Sequence, residues 1–135
     1  MREEILDRAG NCLALVITRS FGGYGTNFVT SPENSLQVGV IQRNAGDVIS
    51  GHKHKPCSFS YDGQRQEFLH IVEGRVLITI FDDEGKEVDR RVFESGDSLL
   101  QLKGGHRFDF ELPTKMLEIK QGPYFGKEKD KEIHE

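Results

Sequence analysis

Glycine placement is the feature that most constrains this chain. Fifteen glycines cut it into short runs rich in Val, Ile, Leu and Phe. Glycine tolerates the positive φ that tight turns need, so such a texture predicts many short strands joined by sharp turns. The strand candidates are 12–21, 35–43, 47–54, 66–72, 75–81, 87–93, 98–102, 106–111 and 116–121. The stretch 82–86 (DDEGK) is a hairpin connection, and 94–97 (ESGD) is a second turn. No helical periodicity of useful length occurs, although residues 1–8 are compatible with one short helical turn. The expected class is all-β, a sandwich or barrel, since an open sheet of this many strands exposes edges that need protection.

The 135 residues suit one domain with one core. The expected organisation is a single domain over 1–135, with an N-terminal strand extension over 1–34 and a solvated tail over 127–135. No apolar run approaches the ~20 residues of a membrane span. The charged start MREEILDRAG lacks the apolar core of a secretory signal, so the expectation is a cytoplasmic protein with no membrane partner. Eighteen basic residues against 22 acidic ones leave a net charge of −4, without the basic stripe that nucleic acid requires. Cys12 and Cys57 lie far apart in sequence and read as two reduced thiols.

One segment declares its facing. In 106–112 (HRFDFEL), Arg107, Asp109 and Glu111 alternate with His106, Phe108, Phe110 and Leu112. Period-2 geometry sends the second set toward the core, so His106 is expected to point inward. Over 67–72 both parities are largely apolar, and alternation alone does not place Glu67. His52 and His54 stand at i, i+2 on a predicted strand, ~7 Å apart on one face, where both imidazoles reach one ion. Alone, such a pair is more often a surface pair than a ligand pair.

The surroundings add weight. Gly46 precedes His52 by six residues, Glu67 precedes Gly74 by seven, and Gly96 opens a unit ending in Gly104-Gly105-His106. Here the chain resembles the cupin superfamily. GDVISGHKH followed by EFLHIVEG is similar to its first motif, G-x5-H-x-H then E-x6-G. GDSLLQLKGGH is similar to its second, with Leu102 in place of the motif proline and His106 one residue early. Twelve residues separate His54 from Glu67, longer than the family's usual gap. The ending GGHRFDF…MLEIKQGPY also looks like a group of small cupins associated with bacterial surface-polysaccharide gene clusters.

The resemblance implies a cupin double-stranded β-helix, a jelly-roll barrel, holding one divalent transition metal through His52, His54, Glu67 and His106. Three imidazoles and a carboxylate suit Zn, Fe, Mn, Ni or Co alike. The implied function is a metal-dependent enzyme, such as a dioxygenase or isomerase, acting on a small organic or sugar-derived ligand. Two alternatives stand beside it: a non-catalytic metal- or ligand-binding module, and a metal-free sugar-nucleotide isomerase-like cupin with a histidine base. The segment 55–66 reads as a hairpin over the barrel mouth or as a dimer contact, with Tyr61 and Arg65 as pocket candidates and Phe108 as a possible pocket wall. Phe108 is otherwise core filler. His70 has parity opposite to Glu67 and should face away; His134 falls in the tail. Glu118 and Lys120 share one face of the last strand as an exposed charge pair. The resemblance further implies a homodimer, with 12–17 as a candidate for strand exchange.

Overall fold

A run of β-branched and aromatic residues is stable as a strand only beside another strand that covers it. The computed structural model describes residues 1–58 and 63–122, and within them ten strands form and no helix. In chain order they are β1 (Arg2–Leu6), β2 (Cys12–Ile17), β3 (Gly25–Phe28), β4 (Gly39–Gln42), β5 (Glu67–Glu73), β6 (Arg75–Phe81), β7 (Glu87–Glu94), β8 (Ser98–Gln101), β9 (Gly105–Phe110) and β10 (Lys115–Lys120). Every pairing is antiparallel. They form a five-stranded sheet in the order β1-β2-β8-β5-β10, a three-stranded sheet in the order β7-β6-β9, and the β3-β4 hairpin.

Two apolar clusters hold these sheets together. The first joins Ile5, Ala14, Val16, Leu69, Ile71 and Leu99 of the five-stranded sheet to Val76, Ile78, Ile80 and Phe93 of the three-stranded one. The second lies on the other face of the five-stranded sheet, where Leu15, Ile17 and Leu100 meet Val29, Leu36, Val38 and Val40. Apolar on both parities, β2 is therefore buried on both faces, and its sequence reads as an unbroken apolar run.

The first crossing between the two larger sheets, from β5 to β6, takes a single residue. Gly74 separates β5 from β6 at φ +112°, and a Cβ there would run into the Pro113 carbonyl oxygen and the Thr114 hydroxyl. Only glycine fits that backbone. At the hairpin tip, Asp82 Oδ1 accepts from the N–H groups of Glu84 and Lys86 at 2.9 and 3.0 Å. This fixes the β6–β7 turn expected from the sequence. Asp97 closes the 94–97 turn in the same way, accepting from the Glu94 N–H at 2.9 Å.

Three expectations need correction. The described residues do not close into a barrel: the five-stranded sheet ends at β1 and β10, the three-stranded at β7 and β9, and the β3-β4 hairpin pairs only with itself. Residues 1–8 hold a strand, β1, and no helical turn. Its Ile5 is buried in the first cluster, and its Glu3 is paired by Arg91. Residues 47–54 form no strand, and every residue there is exposed. Val48 and Ile49 favour strand locally, but among the described residues no strand covers them. The short β3 (GTNF) carries no apolar alternation and went unread in the sequence. Among the described residues no helix is long and apolar enough to cross a membrane.

Candidate metal centre

Register builds the site. Glu67 opens β5 and Gln101 ends β8, and the two stand directly opposite one another. Lys120 of β10 lies opposite Glu67 on its other side, and Ala14 of β2 opposite Gln101. Directly opposed residues of an antiparallel ladder project from the same face. Two positions further along that face Leu69 opposes Leu99, and both are buried in the first cluster. Glu67 and Gln101 thus point into the space between the two large sheets, at its end.

His106 enters from the opposite side. It lies in β9 opposite Ile80, whose side chain is buried in the same cluster. The inward facing read from alternation therefore holds for His106 and for Phe108, which packs on the core. Phe110 and Leu112 share that parity but are exposed. The Phe108 ring stacks on the His106 imidazole, with centroids 4.6 Å apart and planes 19° apart.

His106 Nε2 lies 3.6 Å from Glu67 Oε2, with side-chain exposures of 18% and 19%. His106 Nδ1 meets Gln101 Oε1 at 3.2 Å. The amide orientation follows from the rest of the network. Gln101 Nε2 donates to two backbone carbonyls, Leu13 O at 3.3 Å and Lys103 O. Those oxygens only accept, so the amide nitrogen must face them and Oε1 must face the imidazole. An oxygen that only accepts requires the proton on His106 Nδ1. The neutral ring then presents its Nε2 lone pair toward the Glu67 carboxylate. Two acceptors so placed are favourable together when a proton or a cation lies between them.

The turn before His106 is pinned by side chains from two loops. Gln64 brackets Gly104, donating from Nε2 to its carbonyl and accepting from its N–H at 3.0 Å. Asp83 Oδ1 accepts from the same N–H at 3.0 Å. Gly104 has φ +71°, and a Cβ there would strike the Phe81 carbonyl. At the base of β5, Gln66 and Asn34 exchange amide hydrogen bonds of 2.8 Å in both directions.

The four expected ligands arrive as two pairs. Glu67 and His106 meet as described. His52 and His54 lie on the exposed, strandless segment, their ring centroids 5.4 Å apart and edge-on. His52 Nδ1 sits 2.8 Å from the Ser50 carbonyl, which puts the proton on Nδ1 and leaves Nε2 open as a donor to metal. Among the described residues no three of His, Cys, Asp and Glu gather closely enough to hold an ion. Of the pocket candidates, Tyr61 lies outside the described residues, Arg65 is partly buried just before β5, and Phe108 walls His106. His70 faces away, as its parity implied, and bonds Ser98 Oγ at 2.7 Å through Nδ1. Glu118 is exposed and Lys120 partly buried.

Gln101 and Gln64 were missed in the sequence. Gln101 left one signal: it is a polar side chain in the apolar run SLLQL, on the same parity as the core residue Leu99. Gln64 left none.

No protein-family model, no curated protein and no solved structure matches the chain.

Proposed function

We propose that this chain is a cupin-like protein that binds one divalent transition metal and, on it, a small organic or sugar-derived ligand. The observation that carries the reading is the Glu67–His106 pair. Two donors ~2.0–2.2 Å from a shared ion stand at most about 4.2 Å apart, and this pair is 3.6 Å apart. Gln101 behind His106, and the Ser50 carbonyl behind His52, are the outer partners that set a metal-binding imidazole's tautomer. His52 and His54 would complete the shell from the exposed segment. The donor set suits Zn, Fe, Mn, Ni or Co. A bound ion would supply Lewis acidity toward ligand oxygens, or redox chemistry if it is iron. The jelly-roll reading draws support from the glycine frame, since Gly46, Gly74, Gly96 and Gly104 all take positive φ.

A second reading rests on the fact that Glu67 and His106 meet while His52 and His54 stand apart from them. A proton shared by the pair would satisfy the two facing acceptors as an ion does. His106 would then be a general base steadied by Gln101, suited to proton abstraction from a sugar nucleotide.

Metal analysis of untagged protein separates the two. The metal reading expects about one ion per chain in the wild type, and its loss in Glu67→Gln, in His106→Ala and in the double variant His52→Ala/His54→Ala, with unchanged far-UV circular dichroism. Metal content near zero in folded wild type leaves the acid–base reading. If metal is bound, turnover of nucleotide sugars, 2-oxo acids and phenolics, followed with oxygen uptake, separates an enzyme from a binding module.

A further inference from the structure

The end of the fold remote from Glu67 carries a second polar site. Glu67 opens β5, and Gly74 follows its last residue, seven positions further and about 23 Å along the strand. β8 and β9 agree: Asp97 precedes the strand that Gln101 ends, and Leu112 lies beyond the strand that opens at Gly105, beside His106. At this end Arg19, Arg75, Glu94, Ser95, Asp97 and Leu112 line a groove of about 330 Å³ next to Gly74. Small-molecule sites begin at about that size.

Backbone bonds fix the walls of the groove. Gly96 N donates to the Ile71 carbonyl at 2.7 Å, and Ile71 N to the Asp97 carbonyl at 2.9 Å, which ties the 94–97 turn to β5. Asp97 Oδ2 accepts from the Glu94 N–H, and its Oδ1 accepts from the Arg19 N–H at 3.3 Å. Gly96 has φ +91°, and a Cβ there would stand 2.7 Å from Arg19 Cβ and 3.4 Å from its Cδ. The stem of Arg19 therefore lies over the turn, which holds its guanidinium at the groove.

The cations here exceed what their neighbours use. Arg75 stands opposite Glu94 in the β6–β7 ladder and meets it through Nε, at 3.5 Å. The Asp97 carboxylate is engaged by two backbone N–H groups. Among the described residues the Arg19 guanidinium and the Ser95 hydroxyl make no hydrogen bond or ion pair. Two guanidiniums and a hydroxyl suit a tetrahedral dianion, since arginine binds phosphate through paired N–H groups. Glu94 and Asp97 as carboxylates only accept, so a group beside them must donate. Alcohol hydroxyls meet that need, whereas inorganic phosphate brings like charge to both acids.

We propose that this groove binds a hydroxyl-bearing phosphate monoester. The phosphate sits on Arg19, Arg75 and Ser95, the hydroxyls donate to Glu94 and Asp97, and the carbon skeleton rests on Leu112. The site shares no residue with the Glu67–His106 pair and is independent of the metal reading.

The test is isothermal titration calorimetry of the full chain with D-glucose 6-phosphate, inorganic phosphate and D-glucose. Wild type is expected to bind one glucose 6-phosphate per chain, inorganic phosphate at least about tenfold more weakly for want of the hydroxyl contacts, and glucose without measurable heat. Arg19→Gln and Arg75→Gln should each weaken the ester about tenfold or more. Both variants should fold as wild type does by circular dichroism, because Arg19 has no internal bond to lose and an exposed ion pair such as Arg75–Glu94 adds little stability. Glu94→Ala should narrow the preference for the ester over inorganic phosphate. Arg90→Gln, at an exposed arginine paired with Glu87 outside the groove, should leave the affinity unchanged. No saturable binding of glucose 6-phosphate, equal affinity for inorganic phosphate, or binding that survives both Arg19→Gln and Arg75→Gln would overturn the proposal. So would an unchanged preference in Glu94→Ala, or a loss in Arg90→Gln as large as in Arg19→Gln, which would mark an effect of net charge alone.

Discussion

Gln101 and His106 belong to different sheets and meet through a single bond, His106 Nδ1 donating to Gln101 Oε1 over 3.2 Å. Gln101 is 2% exposed, and its amide nitrogen is spent on the Leu13 and Lys103 carbonyls. Replacing it with leucine strips the amide donor from the Lys103 carbonyl and the acceptor from the imidazole, while the Leu13 carbonyl keeps the Leu102 and Lys103 N–H groups. Each buried polar group so orphaned costs about 1–3 kcal/mol. Gln101→Leu is therefore expected to lower unfolding free energy by at least about 2 kcal/mol, read from urea denaturation. On the metal reading it also weakens metal binding by about 10–100-fold, read by competition with a chelating dye. Unchanged metal affinity in a destabilised variant would leave Gln101 a purely structural residue.

Two glycines with similar backbone angles make unequal predictions. Gly74 has φ +112° and no room for a Cβ; Gly46 has φ +92° and nothing within 4 Å. An L-residue in this region costs about 1–2 kcal/mol by itself. Gly46→Ala should cost about that much. Gly74→Ala adds overpacking against the 113–114 backbone, about 1–3 kcal/mol more, and should melt far lower. Equal melting temperatures for the two variants would mean that the β5–β6 crossing relaxes freely.

These contrasts also show how far the sequence reached. β6 was legible to its exact ends because Gly74 and the DDEGK turn bound a run in which only Arg75 and Thr79 are not apolar. β1 was not, because Glu3 sits on its inward parity and is neutralised by Arg91 of β7, a partner 88 residues away that no local pattern reveals. The facing of Glu67 was undecidable for a physical reason. Both faces of β5 are covered, by Leu69 and Ile71 in one cluster and Phe68 in the other, so both parities are apolar. Register with Gln101 settles it. The pairing of His52 with His54 follows from their spacing, but their separation from Glu67 and His106 depends on the path of 43–58, where sequence offered Val48 and Ile49 as a strand and no strand among the described residues pairs with it.

The same segment has an acid-sensitive anchor. Tyr24 Oη donates to Asp47 Oδ2 at 2.7 Å, and the Asn44 N–H donates to the same oxygen at 2.9 Å. The Tyr24 hydrogen bond first, then the Asn44 N–H, hold the Asp47 carboxyl below its ordinary 3.8. A carboxylate depressed in the folded state contributes stability above its unfolded value and loses it as pH falls through the folded one. The Tyr24–Asp47 anchor should therefore hold above pH 3.8 and release below it. The same bond raises the Tyr24 hydroxyl above 10.0, a contribution lost only as pH rises through the folded value. With no tryptophan in the chain, absorbance at the tyrosinate band isolates the effect. Tyr24 should titrate later in wild type than in Asp47→Asn, which removes the carboxylate that accepts its hydroxyl. Identical titration curves for the two proteins would remove the anchor.

The two thiols make the final prediction, since their surroundings differ as much as chemistry allows in one small chain. Cys57 is exposed on the strandless segment, whereas Cys12 begins β2 and is partly buried. Desolvation above all, and then the charge of Glu4, push the Cys12 thiol above its ordinary 9.0. The thiolate is the reactive form, so both burial and the raised value slow attack by Cys12 on a disulfide reagent. Reaction with an aromatic disulfide at neutral pH should be biphasic, with the Cys12 phase at least about tenfold slower. Cys57→Ser should remove the fast phase and leave the slow one intact. Glu4→Gln should quicken the slow phase modestly, because it relieves the second contribution and leaves the desolvation. A slow phase that speeds up at low denaturant, before global unfolding, would locate the first opening of the fold at the β1–β2 turn. A single fast phase for both thiols would show instead that β2 does not shield its own first residue in solution.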